Sequence, residues 1–125
     1  MFGWMRHRTE ARKRLELGAE AFALLPEHIR DVLKTVPIVL KELPDDDDAR
    51  LGVPADVAGV FIEDTSHEAD REDEEDTTTP YKRGQIRLYF GNIKPRTAEG
   101  VAGVLLHETA HVAGLDDAQA HVLGL

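Results

Sequence analysis

The 125-residue chain contains no cysteine. Disulfide bonds and thiolate metal ligands are therefore excluded, and the composition fits a reducing compartment. No stretch approaches the roughly 18 consecutive apolar residues that identify a membrane-spanning helix, so no membrane partner is expected. The chain opens with basic residues that no apolar run follows, which is unlike a secretory signal peptide. These absences predict a cytoplasmic protein.

Basic residues are in the minority, since 15 Lys and Arg face 24 Asp and Glu for a net charge of −9. The acidity is local, because residues 45–76 hold 14 acidic residues against Arg50 and Arg71. A negative surface repels phosphate backbones, so nucleic acid is not expected as a partner. The four aspartates at residues 45–48 lack the alternation and the glycine of a calcium-binding loop and are assigned no metal.

The length suits a single domain over residues 1–125, too short for two lobes around a deep cleft, so a shallow site is expected. Apolar periodicity, caps and breakers predict four helices: residues 9–25, residues 26–36, residues 97–114 and a short last helix from Asp116. Runs of strand-forming residues between turn signals predict three strands: residues 38–43, 59–63 and 85–90. Residues 64–80, rich in Asp, Glu and Thr, are expected to form a mobile loop. The sequence therefore predicts an α+β domain with a small sheet.

The predicted helix at residues 97–114 carries the most informative motif of the chain, His-Glu-Thr-Ala-His at residues 107–111. His107 and His111 are four residues apart, so on a helix they lie on one face and can converge on one cation. Glu108 lies about 100° round the helix, close enough to reach a metal-bound water without being a ligand. This spacing indicates a zinc hydrolase site with Glu108 as general base.

A third ligand is predicted a short distance beyond the motif. Gly114 can take the left-handed conformation that ends a helix, which lets the chain turn back towards the histidines. Asp117 follows His111 by six residues, the spacing of the third ligand in the metzincin motif, where the ligand is histidine. Aspartate is also an accepted zinc ligand, so we predict one zinc ion per chain held by His107, His111 and Asp117. Asp116 is expected to cap the last helix instead.

Two other interpretations of the histidines were weighed. They could be ordinary interior side chains, since a five-residue pattern with two free positions also arises by chance. The glycine and the carboxylate at ligand spacing favour metal binding over this alternative. A purely structural zinc site usually has four protein ligands and is rich in cysteine, which this chain lacks. A structural site would also leave Glu108 without a purpose.

The motif and its surroundings resemble a known family. The sequences at residues 59–63, 86–89 and 104–117 are similar to those of the small bacterial family described as possible zinc metallopeptidases, the minimal zincins. The resemblance covers most of the chain from about residue 15 and is specific at residues 104–124. It implies a minimal zincin-like α+β fold with two N-terminal helices, an active-site helix and a short C-terminal helix.

The resemblance also implies roles for the site residues, with His107, His111 and Asp117 as zinc ligands and Glu108 as catalytic base. The only methionines are Met1 and Met5, so the methionine turn of the larger metzincins cannot be present. Their substrate rules therefore do not transfer to this chain.

These observations predict a zinc metallopeptidase that hydrolyses a peptide or protein substrate, with the oligomeric state left open and a monomer slightly favoured. The strand at residues 85–90 is expected beside the cleft, where it can pair with an extended substrate. Candidates for stabilising an oxyanion are Tyr81, Tyr89 and His121, for which packing or surface roles are favoured. The alternative function is a non-enzymatic, metal-stabilised module that binds a basic protein through its acidic surface.

Overall fold

A computed structural model describes residues 2–64 and 83–114. The elements in these ranges are helix α1 (Phe2–Ala23), helix α2 (Glu27–Leu33), strand β1 (Ile38–Lys41), helix α3 (Asp46–Arg50), strands β2 (Gly59–Glu63) and β3 (Gly84–Tyr89), a 3-10 turn (Phe90–Asn92) and helix α4 (Ala98–Val112). The predicted α+β class and three-stranded sheet are confirmed. The last helix predicted from Asp116 and residues 65–80 of the predicted acidic loop lie outside the described residues.

Strand β3 lies in the middle of the sheet. It is parallel to β1, with Ile38 opposite Ile86, and antiparallel to β2, with Gly59 opposite Leu88. The prediction that this strand pairs with an extended substrate is wrong, because β1 and β2 occupy its two edges. The sequence of β3 shows only that its side chains alternate. Central strands and edge strands alternate in the same way, so the pattern does not distinguish them.

One face of the sheet forms the hydrophobic core. Ile86 and Leu88 point to this face and are 0% and 1% exposed. Helices α1, α2 and α4 cover it with apolar side chains, and Gly59 allows the closest approach. A Cβ at Gly59 would lie only 2.5 Å from Cγ1 of Val104, so a larger residue would push α4 away from β2. The helix with the histidine motif is therefore held directly against the sheet.

The aspartates at residues 45–48, which the sequence interpretation placed after a strand, instead begin helix α3. Asp45 caps the helix, since its Oδ1 accepts a hydrogen bond from the backbone N–H of Asp48 at 3.1 Å. Asp48 reciprocates, because its Oδ2 accepts from the backbone N–H of Asp45 at 2.9 Å. Three acidic residues in the first turn also favour a helix here, where the helix dipole is positive.

Asp48 fixes α3 to the second face of the sheet. Its carboxylate is 0% exposed and accepts hydrogen bonds from Lys41 Nζ at 2.8 Å, Arg87 Nη1 at 2.5 Å and the Tyr89 hydroxyl at 2.7 Å. Burial by itself raises the pKa of Asp48, but the hydrogen bonds from Lys41, the Asp45 amide, Tyr89 and Arg87 outweigh it and hold the pKa far below its usual value. We call these residues (Lys41, Asp45, Asp48, Arg87, Tyr89) the Asp48 cluster.

Glu42 joins three parts of the fold just after β1, which ends two residues earlier than predicted. Its carboxylate accepts hydrogen bonds from Arg96 Nη1 at 2.6 Å and Nη2 at 3.2 Å, and from Arg14 Nη1 of α1 at 3.3 Å. The hydrogen bonds from Arg96 lower the pKa of Glu42, and they outweigh the opposing effect of burial. Arg96 directly precedes the cap of α4, so this contact helps to set where α4 begins.

Helix α1 is longer than predicted, since it begins at Phe2 and contains Thr9 rather than starting at it. No proline interrupts the residues before Thr9, so nothing in that segment prevents the helix from extending. No helix in the described ranges is long and apolar enough to cross a membrane.

Candidate metal centre

Helix α4 has clear ends that place the histidine motif in its last turns. The Thr97 side chain accepts a hydrogen bond from the backbone N–H of Gly100 at 3.1 Å, and Glu99 lies in the first turn, so the predicted cap is confirmed. Gly114 has a φ of 84°, and its N–H donates to the carbonyl of His111 at 2.9 Å. The prediction that Gly114 adopts the left-handed conformation is therefore also confirmed, and the chain leaves the helix just after the motif.

His107 and His111 converge on the same face of α4. Their Nε2 atoms are 3.3 Å apart, and their ring centroids are 4.9 Å apart with the ring planes at 80°. Two nitrogens that each lie about 2.0–2.1 Å from a tetrahedral ion are roughly 3.3–3.4 Å apart. The two imidazoles are therefore spaced as ligands of one metal ion, although this distance also allows one ring to donate a hydrogen bond to the other.

Glu108 completes the group. One ligand atom from each of His107, Glu108 and His111 lies within 4.8 Å of the other two, and this is the only such group of three among the described residues. Glu108 is 5% exposed, whereas the two histidines are half-buried. The group can bind a metal ion, because imidazole nitrogen and carboxylate oxygen are common ligands of divalent cations.

The neighbouring Thr109 shows how the helix is held at this point. It is 3% exposed, and its hydroxyl donates to the carbonyl of Leu105 at 2.6 Å, within the same helix. Val112 and Leu105 are buried on the same side of α4. The inner face of the motif is thus fixed by packing, and the histidines project from the opposite side.

The third ligand predicted from the sequence, Asp117, lies outside the described residues, as do Asp116, Tyr81 and His121. Tyr89, the remaining candidate for stabilising an oxyanion, is described. It is 0% exposed and donates its hydroxyl to Asp48, in the Asp48 cluster. Burial, together with its hydrogen bond to the Asp48 carboxylate, raises the pKa of Tyr89. The packing role favoured for Tyr89 is therefore the one observed.

Sequence reasoning missed the Asp48 cluster. A local signal was present, because aspartates three residues apart fit the reciprocal pattern of a capping box. The contacts that bury Asp48 come from residues 39 and 41 positions further along the chain, and no local pattern identifies them. Asp48 and Tyr89 of the cluster are buried and Asp48 is ion-paired with Lys41 and Arg87, so the cluster has a structural role rather than a place in the metal centre.

No known protein family and no curated protein matches this chain. The geometry of the metal centre is therefore the basis for assigning a function.

Proposed function

We propose that this protein is a zinc-dependent metallopeptidase in which His107, His111 and Asp117 hold the ion and Glu108 is the general base. The observation that carries the proposal is the 3.3 Å separation of the two Nε2 atoms next to a buried carboxylate. Helical spacing alone puts two histidines on one face, but many rotamers of that pair would separate the nitrogens. Convergence of both rings, with a carboxylate within reach, favours a metal centre.

Bound zinc supplies Lewis acidity that polarises a scissile carbonyl and acidifies a water molecule. Glu108 accepts a proton from that water at a carboxylate oxygen and returns it to the nitrogen of the leaving amine. Its burial limits the positions that the carboxylate can take, which favours a fixed distance to the histidines. The two histidines are only half-buried, so part of each imidazole side chain is accessible to a substrate.

The alternative, a metal-stabilised module that binds a basic protein, loses part of its support in the structure. Its main argument was the acidic surface of residues 45–76, of which the structure describes residues 45–64. Asp48 is fully buried, and Asp45 and Asp47 form ion pairs with Lys41 and Arg87 at 2.8 Å and 3.4 Å. Three of the acidic residues at 45–48 are thus paired within the fold, and Asp48 is not accessible to a partner.

The decisive experiment compares wild type with Glu108→Gln. We expect the variant to keep bound zinc and the same thermal unfolding midpoint, but to lose hydrolysis by about 10²- to 10⁴-fold, because an amide cannot accept the proton. The measurements are zinc content by elemental analysis and mass spectrometry of a defined peptide mixture. Glu99→Gln, on the exposed first turn of the same helix, is the matched control and should retain activity. Full activity in Glu108→Gln would contradict the assigned base, and an absence of zinc uptake by wild type would contradict the metal centre.

A further inference from the structure

Helix α4 is buried on most sides, and the histidines lie beside its one open face. Glu99 and Gly103 are the exposed residues of the helix, and His107 and His111 are half-buried. Gly103, His107 and His111 are spaced by four residues, so they follow one another along the same side of α4. Glu99 lies four residues before Gly103, so the exposed surface that leads to the metal centre runs from Glu99 through Gly103.

The fold itself does not require a glycine at position 103. Its φ is not positive, unlike those of Gly52 and Gly114. Apart from Gly103 itself, its two chain neighbours and the nearby backbone of α4, no atom of the described residues lies within 4 Å of the point that a Cβ at Gly103 would occupy. By contrast, a Cβ at Gly100 would collide with the carbonyl oxygen of Pro95. Since glycine inside a helix costs about 1 kcal/mol relative to alanine, position 103 accepts an unfavourable residue for which residues 2–64 and 83–114 give no packing reason.

The absence of a side chain at position 103 affects the space beside His107. Side chains on a helix lean towards its N-terminus, so the His107 imidazole leans over the turn that contains Gly103. A side chain at position 103 would fill the space beside that imidazole. Val104 and Leu106, which flank this side of the helix, are apolar side chains that pack against the core and stay half-buried, so apolar surface forms part of the border of this space.

We propose that Gly103 forms the floor of a substrate subsite that receives a bulky apolar side chain next to the scissile bond. The inference rests on the proposed function, because it takes the metal centre as the place of hydrolysis. It assigns Gly103 a specificity-determining role, in which the absence of a side chain leaves room for that of the substrate.

The test uses two zinc-binding probes of different size, acetohydroxamic acid and 3-phenylpropanohydroxamic acid, with calorimetry on the zinc-loaded protein. Gly103→Leu and Gly103→Gln should bind the phenyl probe about tenfold or more weakly than wild type, since a phenyl group buried on this floor is worth more than a factor of ten. Affinity for the small probe should stay unchanged. Glu99→Leu, one turn further from His107 on the exposed surface, is the control and should leave both affinities as they are.

Thermal unfolding of each variant shows that it is folded, and both replacements are better helix formers than glycine. Equal affinity for the phenyl probe in wild type and both bulky variants would overturn the subsite while leaving the metal centre intact. An equal loss of affinity for both probes would also overturn the subsite, because the residue at position 103 would then affect binding to the metal and not contact with the side chain of the probe. A wild-type protein that takes up no zinc would overturn the proposed function, and the subsite with it.

Discussion

The two buried carboxylates of this protein, Asp48 and Glu108, have opposite surroundings. Asp48 is 0% exposed on the second face of the sheet, and Glu108 is 5% exposed on the helix that covers the core face. Asp48 accepts hydrogen bonds from two cationic side chains, Lys41 and Arg87. Glu108 instead lies beside two imidazoles whose nitrogens can bind a metal ion.

Under the proposed function, this difference separates a structural role for Asp48 from a catalytic role for Glu108. A carboxylate held by two cations is ionised at every ordinary pH and cannot exchange protons with a substrate, so Asp48 can only stabilise the fold. A carboxylate beside ligands that are neutral when they bind metal can take up and release a proton. Burial and charge alone therefore do not identify a catalytic carboxylate, and the chemistry of its neighbours does.

The largest expected effect comes from removing the structural carboxylate. Asp48→Ala leaves Lys41 and Arg87 without their shared partner, and breaking a buried pair in this way costs roughly 3–5 kcal/mol. We expect a lower free energy of unfolding in urea and unchanged zinc stoichiometry in the folded protein. Asp46→Ala, an exposed aspartate of the same helix, is the control and should change the stability by no more than about 0.5 kcal/mol. If the two variants are equally stable, the Asp48 cluster does not hold α3 in place.

The second effect concerns completion of the metal centre. Asp117→Ala should weaken zinc binding by more than the roughly 10- to 100-fold that is typical of losing an outer-shell partner, because it removes a ligand itself. Asp116→Ala should keep zinc and lower the stability by about 1 kcal/mol, as expected for a lost helix cap. Zinc retention during titration with a chelator measures zinc binding by both variants. The reverse ranking would show that Asp116 is the third ligand.

Acid should separate the two regions. The pKa of Asp48 is lowered in the folded protein. Its contribution to the free energy of unfolding is therefore complete above its unfolded pKa, about 3.9, and is lost only as the pH falls towards the folded value. Histidine must be neutral to bind metal, so zinc should leave in mildly acidic solution. Between about pH 7 and 4.5 we expect loss of zinc with retention of the folded circular dichroism spectrum. Simultaneous loss of both signals would mean that the metal, and not the Asp48 cluster, maintains the fold.

The smallest effect is expected from the acidic residues between β2 and β3. Residues 67–79 contain a single apolar residue, Ala69, and cannot bury enough surface to offset the entropy lost on ordering. Replacing them with a Gly/Ser linker should leave the melting temperature nearly unchanged in differential scanning calorimetry. A large decrease would show that acidic residues outside the Asp48 cluster also stabilise the protein.

Local patterns predicted much of the candidate site. The cap at Thr97, the shared face of His107 and His111 and the left-handed Gly114 all depend on interactions within about one helical turn, which the sequence displays directly. The prediction failed where distant partners decide the outcome. The alternation of β3 did not reveal that it lies between two other strands, and so its assignment to substrate binding was wrong.

By itself, the sequence determined the three strands, the main part of helices α1, α2 and α4, the spacing of the two histidines and the end of their helix, because each depends on residues a few positions apart, but it did not reveal helix α3. The tertiary structure decided which of the many acidic residues became buried and what surrounds each of them. Apart from its capping-box spacing, Asp48 looked like one of four equivalent aspartates, and its contacts with strand residues 39 and 41 positions away could not be read from the sequence. Burying a charge costs free energy that is offset only where its hydrogen-bond donors converge on it. Donors so far apart in the sequence converge only in the folded protein.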